Sequence, residues 1–189
     1  MLHVKHREEA RVRTTRISWT GIGSVETIER CATEYSDDGI RIVGEVDGGD
    51  EPCRYAVSLA PDGTLRHATI ASGDRTTQIE HVDGAWTVDG EERPDLAGAT
   101  DVDITATPAT NALPIRRLGL AVGSRADIEV AWVQVPSLEV RLGRQRYTRV
   151  GPRAYCFESR DREFRRTLTV DADGFVLSYP GLFERVTGS

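Results

Sequence analysis

Cysteine is scarce in this sequence of 189 residues. The three cysteines, Cys31, Cys53 and Cys156, are odd in number and far apart, and no Cys-x-x-Cys pair occurs. This excludes a disulfide framework and the common cysteine patterns of zinc sites. A catalytic thiolate needs a nearby base, and no histidine lies close in sequence to any of the three. We therefore expect buried, reduced thiols that act as small hydrophobic residues.

Long apolar runs are also missing. No stretch approaches the ~18 apolar residues that read as a membrane-spanning helix. The first residues, "MLHVKHREEARVR", are polar and charged and lack the apolar core of a signal peptide. We therefore expect a cytoplasmic protein without a membrane span.

Lysine occurs once, against 23 arginines, and the net charge of −6 argues against nucleic acid as a partner. The charge is uneven along the chain. Residues 1–103 hold 21 acids and 11 bases, a charge of −10, and residues 104–189 hold 9 acids and 13 bases, a charge of +4. We expect the two halves to interleave in one sheet and pair their charges. The alternative is a basic binding patch on the second half.

The residues that are present form a β pattern. Asp-Gly occurs at 38–39, 47–48, 62–63, 83–84, 89–90 and 173–174. Between alternating apolar residues, this dipeptide favours the tight type I′ turn of a β-hairpin. The pattern predicts strands near 25–35, 39–47, 53–60, 65–72, 76–82, 86–88, 101–106, 115–123, 127–136, from 138 onward, 153–158, 163–170 and 175–179. A short helical turn near 111–117 is compatible with Pro114 at a first helical position. About a dozen strands imply a barrel, a sandwich or a curled roll.

Two local patterns predict details of the sheet. In residues 128–135 both alternating faces are apolar, which indicates a strand buried on both sides. Beyond Gly143 the apolar positions change parity, from 138, 140 and 142 to Tyr147. A glycine at such a change suggests a β-bulge or a sharp bend.

The stretch "DVDITATPATNALPIRRL", residues 101–118, holds the strongest candidates for a site. On a strand, Asp101 and Asp103 point to one face, so their carboxylates would be neighbours. Such a pair can bind a divalent cation through its oxygens. The alternative, which we favour, is a carboxylate pair that faces solvent or is matched by Arg116 and Arg117.

The same stretch contains short polar side chains around a proline corner. Thr107, Thr110 and Asn111 could satisfy the amides of the turn, or they could form a polar rim for a hydroxyl-rich ligand. If the chain is extended here, Arg116 and Arg117 point to opposite faces. One could then reach a carboxylate inside, and the other could reach solvent or an anionic ligand.

Residues 101–118 resemble the signature of a family of uncharacterised bacterial proteins described as putative glycolipid-binding. The resemblance covers about residues 19–186. It extends to Trp19, "YAVSLAPDGTLRHATI" at 55–70, "DGAW" at 83–86, "QRYTRV" at 145–150 and "VDADGFVLSYPGLFERV" at 170–186. It implies a mainly β, single-domain protein: a curled antiparallel sheet of about a dozen strands with little helix, a spiral β-roll or incomplete barrel. The implied outline is similar to that of bacterial lipoprotein carriers. We place this domain at 13–189, after an N-terminal tail at 1–12.

The resemblance also implies a lipid or glycolipid ligand, held in an apolar cavity of the curled sheet with a polar Thr/Asn/Arg rim. We expect a binding protein rather than an enzyme, without cofactor or metal, and a homodimer is one option for its oligomeric state. One alternative is an enzyme that acts on a lipid or sugar ester through Asp101, Asp103, Arg116 and Arg117. Another is an interaction module in which residues 101–118 only fix a corner of the sheet. The predicted ligand-binding residues are Trp19, Trp86, Asp101, Asp103, Thr107, Thr110, Asn111, Arg116, Arg117, Tyr147 and Tyr179.

Overall fold

The computed structural model describes residues 12–23, 26–49 and 51–186. The predicted tail, 1–12, lies outside this part of the chain except for its last residue. The described residues form one sheet, one short helix and two 3₁₀ turns. The strands are β1 (Arg13–Gly21), β2 (Thr27–Ser36), β3 (Gly39–Gly48), β4 (Cys53–Leu59), β5 (Leu65–Ser72), β6 (Arg75–Val82), β7 (Ala85–Val88), β8 (Glu91–Glu92), β9 (Ala99–Ile104), β10 (Arg125–Gln134), β11 (Glu139–Gly151), β12 (Ala154–Ser159), β13 (Arg165–Val170), β14 (Val176–Tyr179) and β15 (Phe183–Arg185). The helix is α1 (Ala112–Leu118), and the 3₁₀ turns are Pro94–Leu96 and Ala109–Asn111.

The strand order is β8-β7-β6-β5-β4-β3-β2-β1-β15-β14-β13-β12-β11-β10-β9. Every neighbouring pair is antiparallel except β9 and β10. The sheet ends at β8 and at β9, so it is curled but not closed. The prediction of a mainly β, curled antiparallel sheet is confirmed. The two halves do not interleave strand by strand, because hairpins join β1 to β8 and β10 to β15 in succession; only β9, from the first half, lies on the other side of the β1–β15 pair, next to β10.

Two of the predicted Asp-Gly turns have the backbone of a type I′ hairpin. Asp83 and Gly84 have φ values of 51° and 82°, and Asp89 and Gly90 have 52° and 82°. Type I′ turns need positive φ at both central residues, and aspartate followed by glycine tolerates this best. These turns set the registers of β6 with β7 and of β7 with β8.

Strand β10 separates two hydrophobic cores. The first core lies on the face of Ala131 and Val133, and includes Trp19, Leu65, Ile70, Ile79, Val102, Ile104 and Phe175. The second core lies on the face of Ile128 and Val130, and includes Tyr147, Tyr155, Phe157, Leu168, Val176 and Tyr179. The prediction of a strand buried on both faces is confirmed. The reason is that the sheet curls back on itself, so that one strand serves two cores.

The curl of the sheet also explains why the apolar positions change from even to odd residue numbers near Gly143. Val140 belongs to the first core and Tyr147 to the second, so β11 changes the face that it buries. Its pairing with β10 runs without a register shift through Gly143, and the predicted bulge is wrong at this position. Gly143 instead permits close packing, since a Cβ there would lie 3.0 Å from the Cβ of Trp132.

Residues 112–118 form the helix α1, and the strand predicted at 115–123 is wrong. The helix ends at Gly119, whose φ of 51° is the left-handed conformation typical of a helix C-terminus. Leu113 packs in the first core and Ile115 in the second. On a helix Leu113 and Ile115, two residues apart, point to nearly opposite sides, so α1 contributes to both cores, whereas on a strand the two side chains would lie on one face. Within the described ranges, no helix has the length and hydropathy to cross a bilayer.

Candidate functional site

A cleft opens on the second-core face of the sheet, where β9 to β12 curl towards β14 and β15. One part has a volume of about 260 Å³ and the other about 510 Å³. We call the two parts together the aromatic cleft. Both parts are lined by Asp103, Trp132, Phe157 and Arg162, so they are continuous. Asp103 and Trp132 lie opposite each other on β9 and β10, and Trp132 lies opposite Arg141 on β11.

The smaller part of the cleft is polar. Besides the shared residues, its lining includes Arg141, Arg144, Gln145 and Ser159. The carboxylate of Asp103 forms its inner wall and accepts hydrogen bonds from Gln145 Nε2 at 2.5 Å and Thr110 Oγ1 at 3.3 Å. Burial raises the pKa of Asp103, against the opposing effect of these two hydrogen bonds. The carboxylate is therefore fixed in place and partly desolvated at the cleft wall.

About half of the residues that line the larger part are apolar or aromatic, and the others are polar, namely Asp103, Thr105, Thr107, Asn111, Gln134, Arg162 and Glu163. Phe157, Phe164, Tyr179 and Phe183 follow one another through edge-to-face and tilted contacts, with ring centroids 5.9–6.4 Å apart. Such arrangements suit the quadrupoles of neighbouring rings. Ile104, Val135 and Leu182 complete the apolar lining. This part has the size and composition of a site for a hydrophobic ligand.

Two arginines lie over the indole ring of Trp132. The guanidinium carbon of Arg141 is 4.3 Å from the ring centroid, and that of Arg162 is 5.6 Å away. Arg162 also lies 5.6 Å from the ring centroid of Phe164. Both arginine side chains are exposed. The cleft therefore has a cationic mouth where its polar and apolar parts meet.

A second carboxyl group lies behind the cleft, inside the first core. The side chain of Thr107 lines the cleft and donates a hydrogen bond of 2.6 Å to Glu29 Oε1. The same oxygen accepts a short hydrogen bond from the hydroxyl of Tyr55, while Glu29 Oε2 has no partner among the described residues. Burial raises the pKa of Glu29 to about 7. Sequence reasoning missed Glu29, although it shares the inward parity of Cys31 on β2.

The structure brings six of the predicted site residues to the cleft or directly behind its lining. Asp103, Thr107, Asn111 and Tyr179 line it. Thr110 supports Asp103 through its hydroxyl, and Tyr147 accepts a hydrogen bond from Asn111 Nδ2 at 2.9 Å. Their approach follows from the 3₁₀ turn Ala109–Asn111, which reverses the chain directly after β9. That these residues bind a ligand stays a prediction.

Two predicted site residues lie away from the cleft. Trp19 and Trp86 are buried in the first core. The indole of Trp19 donates a hydrogen bond of 2.8 Å to the backbone oxygen of Val176, and Trp86 stacks on His81 with ring centroids 4.5 Å apart. Both rings fill space in the half of the sheet that does not form the cleft.

The remaining three predicted residues form contacts elsewhere. Arg117 pairs with both oxygens of Asp101, at 3.2 and 2.6 Å, and Asp101 is buried. Arg116 reaches out to Tyr35 and to the backbone oxygen of Asp173. The prediction that the two arginines point to opposite faces of a strand is wrong, because both lie on α1. The four groups of the enzyme alternative therefore do not meet in one cleft, and nowhere in the described ranges do three potential metal-ligating side chains cluster.

Comparison with known proteins gave two matches. The model of a family described as "Putative glycolipid-binding" matches residues 16–185. The crystal structure of a DUF1089 family protein from Pseudomonas aeruginosa is similar to this chain, with 30% sequence identity, a TM-score of 0.67 and coverage of 98% of each chain. No curated protein matches the sequence significantly.

Proposed function

Because the chain belongs to the family described as "Putative glycolipid-binding", we propose that its aromatic cleft binds a single lipid with a sugar-bearing head group. The observation that supports this most is the gradient of polarity along the cleft. One continuous cavity changes from a lining mostly of charged, amide and hydroxyl side chains to a lining of which apolar and aromatic side chains form about half. A ligand that matches both ends must itself be amphipathic.

The polar part is suited to the head group. The fixed carboxylate of Asp103 can accept hydrogen bonds from sugar hydroxyls, while Gln145 and Ser159 add polar groups on neighbouring strands. The partly exposed indole of Trp132 offers a sugar ring an apolar contact beside the two arginines that lie over it. A few such polar groups in an otherwise apolar site fix the orientation of a ligand.

The apolar part is suited to the acyl chain. Each methylene that moves from water into this part of the cleft contributes about 0.8 kcal/mol, before the cost of ordering the chain. The volume of about 510 Å³ lies within the range of ligand sites, about 300–1,000 Å³. Leu182 and Phe183 bound the cleft where β14 turns into β15.

We propose binding rather than catalysis. Asp101 and Arg117 neutralise each other away from the cleft, and at the head-group end the exposed Asp161 pairs with Arg144, which leaves the partly buried Asp103 as the carboxylate without an ion pair. Acid–base catalysis on an ester or glycoside requires a second positioned group within hydrogen-bond reach of the reacting atoms. A cytoplasmic location and the oligomeric state stay predictions.

The proposal is tested by titration with decyl β-D-glucoside below its critical micelle concentration, by calorimetry and by intrinsic tryptophan fluorescence. We expect a 1:1 complex with a shift in the emission of Trp132. Asp103→Asn removes a charged acceptor from the head-group end, and Phe164→Ala shortens the aromatic wall. We expect each to weaken binding by about tenfold.

The matched control is Val150→Ala, an exposed position on β11 outside the cleft, which should bind as the wild type does. Absence of a 1:1 complex in the wild type contradicts the proposal. So does wild-type affinity in both Asp103→Asn and Phe164→Ala. Because Phe164 is only partly buried and makes no hydrogen bond through its side chain, its variant remains informative if Asp103→Asn fails to fold.

A further inference from the structure

The mouth of the cleft carries two arginines, Arg141 and Arg162, that form no ion pair with a carboxylate of the described chain, although the charge of Arg162 favours ionisation of Asp103 and so opposes the rise in its pKa. In contrast, other arginines of the described chain form eleven ion pairs. Both guanidinium carbons lie within 5.6 Å of the centroid of the same indole ring, so the two cations are at most about 10 Å apart. Like charges at short distance repel, and an anion between them would relieve the repulsion.

The carboxylates that line the same part of the cleft are already engaged. Asp161 accepts hydrogen bonds from the backbone N–H and the guanidinium of Arg144, at 2.6 and 3.5 Å. Asp103 accepts from Gln145 and Thr110. Neither lies in an ion pair with Arg141 or Arg162. Glu163 is exposed and lines the larger part.

The side-chain type also points to an anion. A guanidinium group presents a planar fork of donors that matches phosphate, sulfate and carboxylate, and it is more weakly hydrated than an ammonium group. Stacking on an aromatic face holds the fork in position without using its hydrogen-bond donors. The cleft belongs mostly to the half of the chain that carries a net charge of +4.

We propose that the head group is anionic, and that its phosphate, sulfate or carboxylate binds between Arg141 and Arg162 beside Trp132. The inference rests on the proposed function, since it assigns the head-group class of the same site. The anionic group lies at the mouth, the sugar lies against Trp132 and Asp103, and the acyl chain extends towards Phe164 and Phe183.

The test compares two probes with the same chain and ring, decyl β-D-glucoside and decyl β-D-glucuronide, which differ in a hydroxymethyl group against a carboxylate. We expect the glucuronide to bind the wild type at least about tenfold more tightly, the effect of one charge-assisted hydrogen bond. In the double variant Arg141→Gln/Arg162→Gln this preference, the ratio of the two affinities, should fall to about one, whatever the change in the affinity for the glucoside.

Two further variants and one further ligand separate the effect of the charge from that of the guanidinium geometry, and a lipid site from a site for a free anion. Arg162→Lys keeps the charge but not the fork, and should retain only part of the preference. The control Arg160→Gln removes an exposed arginine two residues away that does not line the cleft, and should retain all of it. Free glucuronate distinguishes a lipid head-group site from a site for a free anion: we expect it to bind at least about a hundredfold more weakly than the decyl glucuronide.

Equal affinity of the wild type for both probes overturns the anionic head group but leaves the proposed function in place. A preference that persists in the double variant also overturns it. Binding of neither probe overturns both proposals. Free glucuronate that binds as tightly as the decyl conjugate overturns the assignment to a lipid.

Discussion

Glu29 shows how one buried side chain can make stability depend on pH. It lies on the inward face of β2, and its protonated form suits the apolar surroundings better than its charged form. The unfolded chain loses this proton near pH 4.5, and the folded protein loses it only near pH 7. Between these values the folded state binds the extra proton, so the free energy of unfolding falls as the pH rises.

We therefore predict that Glu29→Gln removes a pH-dependent part of the stability. Glutamine keeps an oxygen that can accept from Tyr55 and Thr107 but cannot ionise. The free energy of unfolding of the wild type, relative to the variant, should fall by about 3 kcal/mol between pH 4.5 and pH 8, because one pKa unit corresponds to about 1.36 kcal/mol. Urea unfolding across this pH range measures the difference.

Glu34→Gln is the control for this experiment, since Glu34 is exposed on the same strand. Its unfolding free energy should follow the wild type at every pH. If Glu29→Gln also follows the wild type at every pH, the ionisation of Glu29 in the folded protein is not shifted and the prediction is wrong.

The position of Tyr55, which donates a hydrogen bond to Glu29, depends on a glycine in the adjacent strand. The ring of Tyr55 crosses Gly44 on the adjacent strand β3, and a Cβ at Gly44 would overlap this ring. We predict that Gly44→Ala lowers the free energy of unfolding by about 2–3 kcal/mol, through overpacking and loss of the Tyr55–Glu29 hydrogen bond.

Gly151→Ala provides the comparison for Gly44→Ala. A Cβ at Gly151 would meet the Cβ of Ala154 at 3.4 Å, an ordinary van der Waals contact. Urea unfolding should show a change within about 0.5 kcal/mol at this position. A similar cost for both substitutions would contradict the role that we assign to the space above Gly44.

At the scale of the element, α1 is anchored by an ion pair of unequal exposure. The side chain of Asp101 on β9 is 1% exposed and that of its partner Arg117 is 23% exposed. Removal of the arginine leaves a buried carboxylate with Thr100 as its remaining side-chain donor. A buried charge without its partner is strongly destabilising.

We predict that Arg117→Ala lowers the free energy of unfolding by about 3 kcal/mol. The adjacent Arg116→Ala removes an exposed side chain that bonds Tyr35, and should cost less than about 1 kcal/mol. Chemical denaturation of the two variants at one pH checks the contrast. Equal effects of the two substitutions would show that the anchor is not the Asp101 pair.

The sequence predicted most strands correctly because hairpin turns and alternation are local signals. It predicted both a short helical turn near 111–117 and a strand at 115–123, and α1 confirms the turn and contradicts the strand. Local sequence did not decide between them, because the contacts that favour the helix come from two distant cores. It also missed β1, β8 and β15. Strands β8 and β15 are very short, and no tight turn marks the ends of β1.

The cleft could be predicted only in part for a similar reason. The polar residues of 101–118 stood out together, and four of them line the cavity. Trp132, Phe157, Arg162 and Phe164 come from three other segments of the chain, and only the curl of the sheet brings them to Asp103. No spacing within the sequence encodes such an approach.

At the scale of the whole molecule, the two cores are mechanically coupled. Strands β1 and β15 pair in the middle of the sheet and join its halves. The indole of Trp19 on β1 donates to Val176 on β14, and β10 packs in both cores. Loss of either core would expose apolar surface of the other, which favours a single cooperative transition.

We predict that hydrogen exchange in the two halves reports the same free energy of global unfolding. Peptides from β4 and β5 represent the first core, and peptides from β11 and β12 the second. Mass spectrometry at increasing urea concentration should show their slowest amides converging on one isotherm. Two isotherms, with one half opening at lower urea, would mean that the cores fold independently.

The outermost strand, β8, consists of two exposed glutamates. An open sheet leaves a row of backbone amides and carbonyls that another chain could extend, and a short, negatively charged border discourages this. At the opposite end, the hydroxyl of Thr110 accepts from the backbone N–H of Ile104 and occupies part of the border of β9. The sheet can thus remain open, with space for a ligand, and still resist edge-to-edge association with another molecule.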